Sequence, residues 1–261
     1  MVCKKGPSTL AVVTGAGSGI GGACAEMLDV ANYRVAVTDM ILSTAEERAK
    51  NSPRMTAYGL DVRDGKEVRD LFSSLAREYG GIGILVHCAG STMPERHIWE
   101  TEEEDFKEML QVHLMGSFFC VKEAARIMVT QGYGKIVLIG SMAGITGLYG
   151  KSHYASAKAG MCGLTLTAAK EFIGTGVTIN LVAPGLIETA MSRRSFGNER
   201  LESAGRPEDV AALVRFLTSP AARHINGTII PVDGGQSLVK SIDAVMKKKL
   251  NEGNKVHAPT D

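Results

Sequence analysis

Net charge is nearly absent from this 261-residue chain, in which 29 lysines and arginines oppose 28 aspartates and glutamates for a formal balance of +1. So weak a field gathers neither nucleic acid nor anionic membrane, and neither is expected as a partner. Long apolar runs are missing as well: none approaches the ~18 residues that a membrane-spanning helix requires. The first expected strand begins near Thr9, too early to leave room for a secretory leader, and the residues before it carry no clear organelle address. A soluble, cytoplasmic protein is the expectation, with an organelle matrix left open. Paired cysteines are lacking too. Those at positions 3, 24, 88, 120 and 162 form no C-x-x-C motif, are odd in number and sit in apolar segments, which reads as reduced, buried thiols. Neither they nor the six histidines follow a zinc-ligand spacing, so no metal is expected. Repeats and low-complexity segments are also missing. A composition of 44% hydrophobic and 22% charged residues is ordinary for a globular chain, and it excludes a disordered protein, a collagen and a disulfide miniprotein.

What is present is a strict alternation. Short β-rich runs at Leu10 to Thr14, Arg34 to Asp39, Met55 to Leu60, Ile82 to Cys88, Lys135 to Gly140, Val177 to Val182 and Gly227 to Val232 are separated by stretches of helical period. Strand, helix, strand in that order means parallel pairing with right-handed crossovers. Runs such as Ile136-Val137-Leu138-Ile139 are apolar throughout, as expected where helices cover both faces of the sheet. The fold class is therefore α/β, a doubly wound Rossmann-type parallel sheet of about seven strands in one domain over residues 1–238, with ligands at the carboxyl ends of the strands. Two stretches break the rhythm. Residues 186–204 have weak periodicity and read as a mobile flap over a site, and residues 239–261 read as a short amphipathic helix followed by disorder.

After the first strand comes Thr14-Gly15-Ala16-Gly17-Ser18-Gly19-Ile20-Gly21-Gly22, running straight into a helix. Glycines there let the backbone turn sharply against a pyrophosphate, while the helix presents free N–H groups and the positive end of its dipole. Gly17, Gly19 and Gly22 fit one phosphate-binding spacing and Gly15, Gly19 and Gly21 another; the second is favoured because Gly15 directly follows the strand. Asp39 ends the second strand, where a carboxylate can accept both hydroxyls of an adenine ribose and repel a 2′-phosphate, so NAD(H) is expected over NADP(H). Asp61 and Val62 after the third strand, and Cys88, Ala89 and Gly90 after the fourth, fall where the adenine half of a cofactor lies.

Tyr154 and Lys158 are four residues apart in helix-compatible sequence and so share one helix face. A neighbouring ammonium stabilises phenolate and is expected to lower the tyrosine pKa from about 10, making Tyr154 an acid/base. Ser141, at the end of the fifth strand, is placed to hydrogen-bond a substrate oxygen.

Together these motifs resemble the short-chain dehydrogenase/reductase family in its compact form, over about residues 9 to 238. The resemblance rests on Thr14-Gly-x-x-x-Gly-x-Gly, Ser141, Tyr154-x-x-x-Lys158, Pro184-Gly185 and Val232-Asp233-Gly234-Gly235. It implies a seven-stranded sheet, Tyr154 as catalytic acid/base, Ser141 polarising the substrate, Lys158 on the nicotinamide ribose and a homotetramer. Ala183 to Thr189 and Gly205 to Val210 look most like the β-ketoacyl-acyl carrier protein reductase group, in which Pro184, Gly185, Ile187 and Thr189 would frame the nicotinamide amide. The chain departs from the family at His113, where the long central helix usually has an asparagine that holds a proton-relay water. A relay imidazole titrating near pH 6.5 and a structural histidine both stand as readings. It departs again at His87-Cys88-Ala89-Gly90, which replaces Asn-Asn-Ala-Gly and leaves the side-chain bonding there open.

The function expected is hydride transfer between NAD(H) and a small-molecule secondary alcohol or ketone, with a 3-hydroxyacyl or 3-oxoacyl thioester as leading substrate class. The alternatives are an acyl-carrier-linked reductase, a polyol, sugar or steroid dehydrogenase, and an inactive NAD-binding sensor.

Overall fold

The computed structural model describes residues 9–196 and 204–238. The tail from 239 and part of the expected flap lie outside them. Seven strands form one parallel sheet in the order β3-β2-β1-β4-β5-β6-β7. They are β1 (Leu10–Thr14), β2 (Arg34–Asp39), β3 (Met55–Gly59), β4 (Ile84–His87), β5 (Gly134–Ile139), β6 (Val177–Pro184) and β7 (Ile229–Val232). Strand order reverses between β1 and β4, and at such a switch point the loops part to leave a crevice beyond the carboxyl ends.

Helices cover both faces of the sheet because both faces are apolar. On one side α1 (Gly19–Val30), α2 (Leu42–Ala49) and α9 (Pro207–Thr218) bury Cys24, Leu28, Ala45, Val210, Val214 and Leu217 against Val13, Val37 and Val86. On the other, α3 (Gly65–Tyr79), α5 (Gly116–Gln131) and α7 (Ser152–Glu171) bury Phe72, Leu75, Met128, Met161 and Ala168 against Val12, Leu85 and Ile136. The ends follow local chemistry. Asp64 accepts hydrogen bonds from the backbone N–H of Lys66 and of Glu67 at the start of α3, and Gly80, at φ +77°, closes that helix. Helix α4 (Glu103–Met109) reaches α5 through one π-helical stretch, Leu110–Met115, which carries His113 inward. Short helices α6 (Ala143–Thr146) and α8 (Ala190–Phe196) follow β5 and β6.

Residues 186–196 are the described part of the segment expected as a flap. Ile187 is buried in the core beneath α9, bridges to Gly205 and is followed by α8, because one apolar side chain and one backbone bridge anchor the segment without any repeating pattern. No helix among the described residues is long and apolar enough to cross a membrane, and no group of three histidine, cysteine or acidic residues among them is placed to hold a metal.

Candidate active site

Glycines of both candidate spacings are confined in the turn after β1, Gly17 by Thr44 at 2.3 Å and Gly22 by Arg48 at 2.8 Å from a would-be Cβ. Gly15 and Gly19 take φ of +62° and +54°, and a Cβ on Gly21 would stand 2.1 Å from the Gly15 carbonyl oxygen. Ser18 caps α1 with extended backbone and makes no side-chain capping hydrogen bond, so the first N–H groups of the helix are left for a ligand. Side chains at Gly15, Gly17 or Gly21 would collide with Ala89, with Thr44 and Asp39, or with the Gly15 carbonyl, so the tight turn that leads into the N–H groups of α1, and that suits a pyrophosphate, requires glycine. Asp39 stands beside it: its Oδ2 accepts from the Gly17 N–H at 3.1 Å and its Oδ1 from the Ile41 N–H at 3.0 Å. The nearby cations are already paired, Arg48 with Glu26, and Arg63 with Asp61 and Glu108. The Arg63 guanidinium clamps both oxygens of the Asp61 carboxylate and holds its pKa down. Val62 is buried against Gly116, where it packs as core.

Ser141, Tyr154 and Lys158 converge at the carboxyl end of β5. The Ser141 Oγ accepts from the Ala143 N–H at 3.1 Å and lies beside the Tyr154 phenol, whose pKa it pulls down. Burial acts the other way and is larger, so the phenol is pushed above its ordinary value. This corrects the expectation of a tyrosine acidified by its neighbour. The Lys158 ammonium lies 5.7 Å from the centre of the Tyr154 ring and donates to the Ile139 carbonyl at 2.8 Å, so it is directed at the main chain. Burial also brings its own pKa down to about 8.

His113 is 1% exposed and stands edge-on to Tyr154, with ring centres 5.1 Å apart and planes at 89°. Its Nε2 is anchored 2.9 Å from the Ser91 carbonyl, while Nδ1 is buried with no protein partner. Burial, with the Lys158 ammonium second, holds its pKa well below 6.5, which corrects the expectation of titration near that value. A Cβ at Gly90 would come 2.5 Å from His113 Cε1, so this imidazole requires a glycine opposite it. Gly90→Ala is expected to cost about 1–3 kcal/mol of stability by overpacking, read as a lower urea midpoint. An equal cost in a His113→Ala background would refute the interlock.

Beyond the turn, Pro184 and Gly185 meet the loop after β7. The Gly185 N–H donates to the Val232 carbonyl at 3.0 Å, and a Cβ on Gly185 would stand 2.7 Å from that of Asp233. Thr189 packs beside Gly19 and uses its hydroxyl locally, accepting from the Ser192 N–H at 3.1 Å at the start of α8. A cavity of about 280 Å³ opens here, lined by Gly19, Thr189, Arg48 and Arg193 among others.

With this geometry, a family model described as enoyl-(acyl carrier protein) reductase matches residues 15–237. The chain belongs to the short-chain dehydrogenase/reductase family. It is 36% identical to a Synechocystis 3-oxoacyl-[acyl-carrier-protein] reductase over 87% of this chain and 96% of that one. It is 34% identical to the FabG reductase of Vibrio cholerae over 88% and 98%. Among solved structures, levodione reductase superposes with a TM-score of 0.84 at 28% identity, over 89% of this chain and 99% of that one. ElxO with NADP bound gives 0.82 at 28%, over 87% and 98%.

For a short-chain dehydrogenase/reductase, the His87 substitution is absorbed by the neighbouring strand. Thr14 Oγ1 accepts from the N–H groups of Cys88 and Ala89 at 3.2 and 3.1 Å and lies 2.9 Å from His87 Nδ1. His87 Nε2 is buried with no protein partner among the described residues, and burial brings the pKa of the ring to about 3. Cys88 is half-buried beside Cys24 and its thiol is pushed up by burial, which makes it inert. None of the four described cysteines forms a disulfide. Sequence reasoning missed the rim. His97 stacks on Trp99 at 4.5 Å and meets Tyr149 edge-on at 5.5 Å, joining the loops after β4 and β5. It missed Thr92 and Lys151 as well, which meet within those loops; a buried lysine carries no signature in a sequence.

Proposed function

We propose that this enzyme is an NAD(H)-dependent dehydrogenase acting on a secondary alcohol or ketone, with 3-hydroxyacyl or 3-oxoacyl compounds as the leading substrate class. The convergence of Ser141, Tyr154 and Lys158 beside the glycine turn carries this reading. The bound nicotinamide supplies or accepts the hydride. The chain does the rest: Gly15, Ser18, Gly19, Ile20 and Gly21 hold the pyrophosphate, Asp39 the adenine ribose, Asp61, Val62, Cys88, Ala89 and Gly90 the adenosine side, and Pro184, Gly185, Ile187 and Thr189 frame the amide. Ser141 donates a hydrogen bond to the substrate oxygen, Tyr154 gives that oxygen a proton or takes one, and Lys158 binds the nicotinamide ribose. His113, neutral at working pH, is placed to pass a proton through Nδ1. An unchanged kcat in His113→Asn would leave it a purely structural role.

Asp39 favours NAD(H), although two of the related structures carry NADP(H). We further propose a cytoplasmic homotetramer. Phe118 and Val129 on α5 and Leu166 on α7 are left outward, 41%, 42% and 46% exposed, as subunit contacts would require; sedimentation at the monomer mass would contradict it. A reductase serving acyl carrier protein is the second reading, favoured by the names of the relatives. A panel of hydroxy and oxo compounds, including matched carrier-protein and coenzyme A thioesters, followed by nicotinamide absorbance, decides among these readings. Turnover that persists in Tyr154→Phe, or none with any compound, would overturn the assignment.

A further inference from the structure

The aromatic rim has no part in the chemistry proposed above. Ile98, Trp99 and Tyr149 are 72%, 77% and 74% exposed. They are nonetheless held in place: the Trp99 and His97 rings stack with planes at 5°, the Tyr149 hydroxyl lies 3.4 Å from His97 Nε2, and the Arg96 N–H donates to the Gly150 carbonyl at 2.9 Å, tying the two loops together. A fixed group of apolar rings, open to water and edged by polar residues, marks an interaction surface.

Charge indicates what would cover it. In a chain of net charge +1, the sequence around the rim is acidic: Glu95, Glu100, Glu102, Glu103 and Glu104 are all exposed, against Arg96 and Lys107. Lys107 pairs with Glu103 and Glu104, and Arg96 with Asp105. Among the described residues, Glu95, Glu100 and Glu102 are in no ion pair. A complementary occupant therefore carries apolar side chains and positive charge together.

The chain itself holds such a segment. The family model ends at residue 237, and beyond it Ala244-Val245-Met246-Lys247-Lys248-Lys249-Leu250 joins apolar residues to the sequence's only three consecutive lysines. The tail also sets out from the right edge of the sheet. Leu238 follows β7, where its N–H donates to the Gly235 carbonyl at 3.0 Å, and the loops bearing the rim leave the carboxyl ends of β4 and β5 in the same parallel sheet. Along the sheet edge β7 lies three strand spacings from β4, roughly 14 Å. The stretch from Leu238 to Val245 extends to about 25 Å, so the tail of one chain spans that distance.

We propose that residues 244–250 dock on the rim of their own chain, with Val245, Met246 and Leu250 against Trp99 and Tyr149, and with Lys247, Lys248 and Lys249 among Glu95, Glu100 and Glu102. The docking is independent of the dehydrogenase reading, because no residue of the proposed chemistry takes part in it.

Trp99 is the chain's only tryptophan, so its fluorescence reads the rim directly. The test compares the full chain with a chain ending at Leu238, with the triple variant Lys247→Glu, Lys248→Glu, Lys249→Glu, and with that variant carrying Glu95→Lys and Glu102→Lys in addition. Removal of the tail should red-shift the emission and raise quenching by acrylamide about twofold, as uncovering one face of an indole does. The triple variant should match the truncated chain, and reversing the rim charges should restore the shielding. In the full chain, shielding should weaken as salt rises from about 0.05 to 0.5 M. A synthetic peptide of residues 239–261 should restore it saturably when added to the truncated chain. Equal emission and quenching in full and truncated chains would overturn the proposal, as would shielding that survives the triple variant or a peptide that leaves Trp99 unchanged. Shielding that varies with protein concentration would put a second copy on the rim and overturn docking within one chain.

Discussion

Tyr154→Phe is expected to lower kcat by about 10²- to 10⁴-fold, the usual contribution of a positioned acid/base, while leaving cofactor affinity within a few-fold. The substitution removes one oxygen and keeps the ring that packs edge-on to His113, so the fold and the glycine turn are undisturbed. Stopped-flow binding of nicotinamide cofactor and steady-state rates separate the two effects; a kcat within a few-fold of wild type would end the assignment of Tyr154. The direction of the pH dependence follows from burial. Alcohol oxidation needs the phenolate, and burial raises the pKa of this phenol, so oxidative kcat/KM should climb with pH through the neutral range. Lys158 is charged below its pKa of about 8 and loses that charge as pH rises through it. That positive charge, 5.7 Å from the Tyr154 ring, is therefore present at lower pH and lost above. The kcat penalty of Lys158→Met at saturating cofactor should accordingly shrink from pH 7 to pH 9, and a penalty growing over that range would refute the argument.

The second large effect concerns cofactor choice. Asp39→Ala is expected to reduce the preference for NAD(H) over NADP(H) by about 10- to 100-fold in kcat/KM, or ~1.4–2.8 kcal/mol, through loss of the ribose contacts and of repulsion toward a 2′-phosphate. Adding Met40→Arg should invert the preference, because residue 40 is 63% exposed next to the ribose site and free to present a guanidinium. The existing arginines cannot easily do this, since Arg48 and Arg63 are held in ion pairs. Tighter binding of NADP(H) than NAD(H) by wild type, in a direct titration of both, would refute the role given to Asp39.

How much of this was legible in the sequence depended on whether a feature is local. The glycine register could be weighed because Gly15 follows a strand; in the structure Gly15 takes a positive φ, and Gly17 is equally confined, since a Cβ there would stand 2.3 Å from Thr44 Oγ1. Asn180, within β6, pins that strand to the loop before β7, its Nδ2 donating to the Ile225 carbonyl and its Oδ1 accepting from Thr228 Oγ1, contacts that join residues distant in the chain. The described part of the segment after β6 holds one buried isoleucine and one bridge, which leave no periodicity to read in a sequence. Lys151 and Thr92 escaped notice because they are 59 residues apart and meet only after folding.

The sequence by itself determined the parallel sheet, the glycine-rich turn and the Tyr154–Lys158 spacing, because strand alternation, glycine conformational freedom and the helical repeat act between near neighbours. The tertiary structure alone decided the protonation behaviour of the site. Whether the ammonium of Lys158 faces a phenol or a main-chain carbonyl, and whether His113 and Tyr154 are wet or dry, depends on groups brought together from distant segments. Desolvation then outweighs the charge interaction that spacing along one helix suggests.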